Sequence, residues 1–110
     1  MPDIKGPWNF NGNGYSGQLW IEGIDANGNL LGSSTVYGQT IIGFWDDQSW
    51  KLTFMRLIDK GNPSSFQIYT GYLMQSQDNG SLAFAGSFEA FQGSGAVARR
   101  VVYGWYAVPR

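Results

Sequence analysis

The feature that most constrains this chain is an alternation of apolar and polar residues at period two. The alternation recurs in seven segments, separated by turns rich in glycine and asparagine: residues 15–24, 30–37, 40–45, 50–58, 66–74, 82–91 and 97–108. Period two is typical of strands that bury one face, and no stripe at the helical period of 3.6 accompanies it. Short strands at this spacing predict an all-β fold, with residues 1–110 forming one small up-and-down antiparallel barrel of seven to eight strands.

Glycines inside these segments support closure of the sheet. A glycine within a strand weakens it unless the sheet bends sharply or another group packs closely against it. Repeated interior glycines therefore favour a strongly coiled, closed sheet over an open one. The residues 6–10 that precede the first long segment look too short for a long strand.

Composition excludes several kinds of chemistry. The chain has no cysteine and no histidine, so neither a disulfide framework nor the usual general base near neutral pH is present. A net charge of −1 with 14% charged residues gives no basic stripe for nucleic acid. The adjacent pair Asp46 and Asp47 is better explained by a solvated hairpin turn than by a catalytic dyad. We therefore expect a protein that is not an enzyme and that needs no metal or cofactor.

The beginning of the sequence bears on location. It lacks the basic and then apolar pattern of a signal peptide, and no run approaches the ~20 apolar residues of a membrane helix. Glycines and serines also interrupt the apolar band that a transmembrane barrel would need. The sequence predicts a soluble protein with no membrane insertion and favours the cytoplasm.

Short motifs along most of the chain resemble those of the calycin superfamily. They are Gly6-Pro7-Trp8, Gly28-Asn29-Leu30-Leu31-Gly32, Ile42-Gly43-Phe44, Trp50-Lys51-Leu52-Thr53-Phe54 and Tyr69-Thr70-Gly71-Tyr72, and their order is closest to an avidin-like barrel. The resemblance implies that a ligand would be held in the barrel interior. The biotin-binding set is not retained: residues 32–34 lack the expected tyrosine and residues 104–106 the expected aspartate.

Alternation and the avidin resemblance imply opposite inward faces for the segment 66–74. Alternation points Phe66, Ile68 and Tyr72 inward and leaves Tyr69 and Leu73 outside. The avidin resemblance instead implies that Ser65, Gln67 and Tyr69 face inward. Both phases remain open at the level of sequence.

The function that these observations favour is non-catalytic binding of a small, largely apolar ligand inside the barrel. We expect a pocket that opens at one end, near Arg99 or Arg56 as polar anchors. The candidate ligand-binding residues are Phe54, Tyr69, Tyr72, Phe84, Arg99, Tyr103 and Trp105. The alternative is a structural or protein-interaction module whose barrel is filled by side chains. Biotin binding and protease inhibition are less favoured.

Arg99 has two possible roles. It shares a face with Tyr103 and Trp105, and the calycin resemblance implies that it stacks on Trp8 as a cation–π closure of the barrel. It could instead capture a ligand carboxylate, as in fatty-acid carriers.

Large apolar residues on the faces assigned outward predict self-association. These residues are Trp20, Tyr69, Leu73, Phe91 and Tyr106. Exposed apolar patches of this kind usually mark an interface. We expect a homo-oligomer, most simply a two-fold dimer that packs barrel walls together.

Overall fold

The computed structural model describes residues 2–56, 58–59, 61–92 and 99–110, and within them the chain forms a closed antiparallel barrel of eight strands. The strands are β1 (Gly6–Gly12), β2 (Tyr15–Ile21), β3 (Thr35–Val36), β4 (Gln39–Asp46), β5 (Lys51–Arg56), β6 (Gln67–Gln75), β7 (Leu82–Gln92) and β8 (Arg99–Pro109). Each strand pairs with the next, and β1 pairs with β8. One short 3-10 turn, Pro63–Ser65, precedes β6. The predicted all-β up-and-down barrel is confirmed.

The strand that closes the barrel, β1, is longer than the sequence pattern predicts. Residues Gly6–Gly12 form a full strand of seven residues that pairs with both β2 and β8. Trp8, Phe10 and Gly12 are buried on its inner side, whereas Pro7 and Asn9 are exposed. The period-two pattern is therefore present in β1, but with few apolar residues to reveal it.

Of the strand predicted at residues 30–37, only the two residues of β3 form a strand. Before it, the chain follows the barrel wall through single contacts: the Leu31 amide donates to the Gly23 carbonyl at 3.0 Å, and the Glu22 amide donates to the buried Ser34 hydroxyl at 3.1 Å. Serine, glycine and asparagine provide little apolar surface for a strand to bury. The predicted last strand starts at residue 97, but residues 93–98 lie outside the described part of the chain, and β8 begins at Arg99.

The body of the barrel is filled with aromatic rings. Tyr69 lies between Phe54 and Phe88, with ring centroids 4.6 Å away on both sides and nearly parallel planes. The Trp105 indole nitrogen donates to the carbonyls of Thr70 and Ser87. The buried rings are Trp8, Phe10, Trp45, Phe54, Tyr69, Phe84, Phe88 and Trp105. An eight-stranded barrel is just wide enough for side chains to fill it, so these rings form the hydrophobic core.

The alternation assigns the wrong face to β6. Tyr69 and Leu73 are buried, whereas Tyr72 is 50% exposed and lies outside the barrel. The inward phase is the one that the avidin resemblance implies for Gln67 and Tyr69. Apolar residues occupy both faces of this strand, so hydrophobicity alone does not determine its phase. Packing does: Gly71 faces inward, and a Cβ there would overlap the Trp105 indole.

The expected stacking of Arg99 on Trp8 is wrong. Trp8 pairs with Pro109 at one end of β8, whereas Arg99 pairs with Gln92 at the other end. The 11 residues of β8 separate them by roughly 30 Å. Trp8 instead donates its indole N–H to the Ile4 carbonyl at 2.9 Å and packs on Phe84 with centroids 4.8 Å apart.

The outside of β4 to β8 carries a band of exposed apolar side chains, named here the outer wall. Ile42 pairs with Met55, and Met55 with Ile68, so one row of the wall crosses three strands. Tyr72 and Tyr106 both pair with Ala85 in a second row. The most exposed members are Ile42, Phe44, Tyr72, Met74, Val102 and Tyr106, each 50–65% exposed.

Candidate functional site

A concave site lies at the end of the barrel where β1 turns into β2 and β3 turns into β4. It has a volume of about 540 Å³ and is open to solvent, and it is named here the mouth cavity. Its walls carry the rings of Tyr37, Tyr69, Phe88 and Tyr103. Polar groups between the rings come from Arg56, Gln67, Gln92 and Asn13. The filled core beneath the cavity gives it an aromatic floor.

Tyr37 forms one wall of the cavity and has an unusual backbone. It follows β3 with φ at 52°, and Gly38 follows with φ at 75°. Both central residues of a type I′ hairpin turn need positive φ, a conformation that suits asparagine or glycine and strains an aromatic residue. Such strain persists only where surrounding contacts hold it, which makes Tyr37 a candidate for function.

Two strands, β1 and β2, hold the Tyr37 side chain in place. Its hydroxyl donates to the Tyr15 carbonyl and accepts from the Gly12 amide at 3.2 Å. Its ring meets Phe10 edge-on, with centroids 5.3 Å apart. The ring lies directly over Gly17, where a Cβ would overlap it. Tyr37 is therefore a fixed part of the cavity wall.

Arg56, at the end of β5, is the cation of the mouth cavity. Its guanidinium carbon lies 4.8 Å from the centroid of the Tyr37 ring. Its Nε donates to Gln39 Oε1, and its Nη1 donates to Gln67 Oε1 at 3.1 Å. The Tyr69 hydroxyl donates to the same Gln67 oxygen at 2.7 Å. Arg56 thus links both tyrosine walls into one network.

The phenols of the network are poor acids. Burial raises the pKa of Tyr69 and of Tyr37 above the usual value of 10.0, although the hydrogen bonds and the charge of Arg56 act in the opposite direction. Both side chains therefore stay neutral well above neutral pH. On the facing wall, the Tyr103 hydroxyl donates to Gln92 Oε1 at 2.7 Å.

The structure divides the candidate residues that the sequence suggested into three groups. Tyr69 and Tyr103 line the mouth cavity together with Arg56, the second suggested anchor. Phe54, Phe84 and Trp105 are at most 3% exposed and belong to the core beneath.

Two suggested residues lie elsewhere. Tyr72 is on the outer wall, and Arg99 is exposed on β8 and does not line the cavity.

Sequence reasoning did not identify Tyr37, Gln39 or Gln92. Gln67 entered only through the family resemblance. One signal for Tyr37 was available: the pair Tyr37-Gly38 stands at a hairpin turn, where an aromatic residue is unusual. The glutamines carried no comparable signal, because a polar residue near a strand end is ordinarily solvent-exposed.

Two other concave regions differ in character. One, of about 740 Å³ at the opposite end, lies among loops and includes Asp25, Asp46 and Asp47. Hydrogen bonds from the Asn29 and Asn27 amides lower the pKa of Asp25, so this carboxylate stabilises its own loop. The other, of about 470 Å³, is an apolar groove on the outer wall beside Ile42 and Phe44.

Among the residues that the structure describes, no group of three acidic, cysteine or histidine side chains could hold a metal ion. No helix in the described ranges has the length and apolar character needed to cross a membrane. No family model, curated protein or solved structure matches the chain.

Proposed function

We propose that this protein binds a small, largely apolar ligand in the mouth cavity, without chemical conversion. The observation that carries the proposal is the cavity of about 540 Å³, whose lining combines aromatic rings with polar side chains in similar measure. Its volume lies within the ~300–1,000 Å³ of binding sites for small molecules.

The filled core determines where such a ligand would lie. Phe54, Tyr69 and Phe88 form a continuous stack across the barrel, with 4.6 Å between successive centroids. A ligand would therefore rest on Tyr69 and Phe88, the two members of the stack that line the cavity, and not inside the core. Tyr37 and Tyr103 would flank it, because both line the cavity above the stack.

The chemistry of the cavity lining supports binding without conversion. Acid–base catalysis near neutral pH needs a group that titrates there. The described residues that line the cavity include no aspartate or glutamate, and burial raises the pKa of Tyr37 and Tyr69.

A cavity-filling substitution tests the proposal. Ala90 lines the cavity and is nearly buried, so Ala90→Phe places a ring in the space where the ligand would bind. The matched control is Ala83→Phe, which adds the same ring near the start of β7, opposite Met74.

The probe is the neutral fluorophore phenylnaphthylamine, followed by its emission and by quenching of tryptophan. Saturable binding to the wild type and to Ala83→Phe, weakened at least about tenfold in Ala90→Phe, supports the proposal. Equal binding to both variants would place the probe elsewhere. No binding to the wild type would favour the alternative of a structural module with a filled barrel.

We also propose that the chain is a calycin-like barrel. The closed meander and the opening Gly6-Pro7-Trp8, with Trp8 buried opposite the mouth, support this assignment. The same fold supports many functions, so the assignment by itself does not identify a ligand.

Self-association through the outer wall is a second proposal. Ile42 and Phe44 on β4 and Tyr72 on β6 are each at least 50% exposed on one side of the barrel. Several large exposed apolar side chains on neighbouring strands are typical of an interface. We propose a two-fold homodimer that buries the outer wall and leaves both mouth cavities open.

A further inference from the structure

We propose that the mouth cavity selects an organic anion, a flat apolar body that carries one carboxylate, and that Arg56 receives this carboxylate. The inference rests on the proposed function and specifies the class of ligand that the same cavity takes. It follows from hydrogen-bond donors at the cavity that have no partner among the described residues.

The orientation of the glutamine side chains is fixed by Arg56. A guanidinium group can only donate hydrogen bonds. Because Arg56 donates to Gln39 and Gln67, both amide oxygens face the guanidinium. The amide NH₂ group of each glutamine therefore points away from Arg56, and that of Gln67, which lines the cavity, has no hydrogen-bond partner among the described residues.

The Gln92 side chain, on another wall of the cavity, is also held through its amide oxygen. Its oxygen accepts from the Tyr103 hydroxyl at 2.7 Å, which leaves its NH₂ group as a donor. Gln67 and Gln92 both line the cavity. The cavity therefore presents amide N–H groups from two sides.

Arg56 also has N–H groups that make no hydrogen bond to the described residues. A guanidinium carries five N–H groups, and in the described structure Arg56 uses one on Gln39 and one on Gln67. The Nη2 side of the fork has no hydrogen-bond partner among the described residues. A carboxylate fits such a fork because its two oxygens lie in one plane with matching spacing.

The charge of the cavity lining also favours an anionic ligand. The described partners of Arg56 are two neutral amides and the face of the Tyr37 ring, and the described lining contains no carboxylate. Because Arg56 is half-buried, water screens its charge less, and its attraction to an anion in the cavity is stronger than at an exposed site. A cationic or donor-rich ligand would meet repulsion and unpaired donors.

A purely structural role is the competing explanation. In that case Arg56 serves only to hold Tyr37 and Gln67 in position. Loss of Arg56 would then weaken all ligands alike, whatever their charge. The two explanations differ in the selectivity of binding, which is what the experiment measures.

The experiment compares naphthoate with naphthamide at pH 7, as competitors that displace phenylnaphthylamine. The two compounds share the ring system and differ in the charge of one group. We expect naphthoate to bind the wild type at least about tenfold more tightly, since a hydrogen bond to a charged group is much stronger than one between neutral groups. In Arg56→Met, which removes the charge and keeps an unbranched side chain, the ratio of the two affinities should fall to about one.

Two further variants make the result specific. Lys5→Gln removes the same charge before the start of β1, at the end opposite the cavity, and should leave the preference unchanged. Arg56→Lys keeps the charge but loses the planar fork, and we expect a reduced preference for naphthoate. If Arg56→Met fails to fold, the ratio of naphthoate to naphthamide affinity in the wild type still tests the preference for an anion.

The outcomes separate the two proposals. Equal affinity of naphthoate and naphthamide for the wild type overturns the inference and leaves the proposed function standing. Loss of the preference in Lys5→Gln as well would assign it to the net charge of the protein and overturn the inference. Failure of phenylnaphthylamine and both competitors to bind the wild type would overturn the proposed function together with the inference.

Discussion

Gly17→Ala should destabilise the protein because the Tyr37 ring occupies the place of the new methyl group. A Cβ on Gly17 would overlap two carbons of that ring. Tyr37 cannot easily move aside, because its hydroxyl is bonded to both Tyr15 and Gly12 and its backbone is fixed in a tight turn. The ring must therefore leave its position, or β2 must shift.

The expected cost has two parts. Overpacking costs ~1–3 kcal/mol, and loss of the two hydrogen bonds of the Tyr37 hydroxyl adds roughly 1 kcal/mol. We expect the free energy of unfolding to fall by about 3 kcal/mol. The matched control is Gly32→Ala, because a Cβ on Gly32 meets no atom within 4 Å. That variant should stay within about 0.5 kcal/mol of the wild type or gain slightly.

Urea unfolding followed by tryptophan emission measures both variants. Because Tyr37 forms a cavity wall, Gly17→Ala should also weaken phenylnaphthylamine, whereas Gly32→Ala should not. If Gly17→Ala is as stable as Gly32→Ala, the Tyr37 ring is not fixed over β2, and the account of the cavity wall is wrong.

Three other predictions concern the core, assembly and pH. Phe54→Ala should cost ~3–5 kcal/mol in denaturant unfolding, whereas Tyr72→Ala should cost less than about 1 kcal/mol, since only the first ring is buried. Similar costs would contradict the assigned phase of β6. Sedimentation should show a dimer for the wild type and a monomer for Phe44→Asp, and a monomeric wild type would exclude the interface. The raised pKa values of Tyr37 and Tyr69 predict full stability below pH 10 and a loss above it, because the unfolded chain releases these protons first. Unfolding free energies that rise between pH 10 and 11 would contradict this sign.

The barrel itself could be predicted from the sequence because local signals repeat along the whole chain. Short turns such as Asn79-Gly80 separate alternating segments, and a short turn favours pairing of each strand with the next. The phase of β6 could not be predicted from alternation. Tyr69 and Tyr72 are equally apolar, and only the contact between Gly71 and Trp105 on a distant strand distinguishes the two faces.

The site was less predictable than the fold. Tyr69 and Tyr103 were found because they are aromatic residues on strands, which is a local property. Tyr37 contributes through a strained turn and through Gly17 on another strand, and both conditions depend on the folded structure. Arg56 and Arg99 look alike in the sequence, but only the register of the closed barrel places one at the cavity and the other outside it.

Backbone amide chemical shifts, followed during titration with phenylnaphthylamine, show which residues surround the bound ligand. The account predicts that the largest changes occur around the mouth cavity, at Gly12, Arg56, Gln67 and Ala90. The apolar groove on the outer wall is the competing place for such a probe. Changes centred on Ile42 in that groove, with the cavity residues unaffected, would contradict the account.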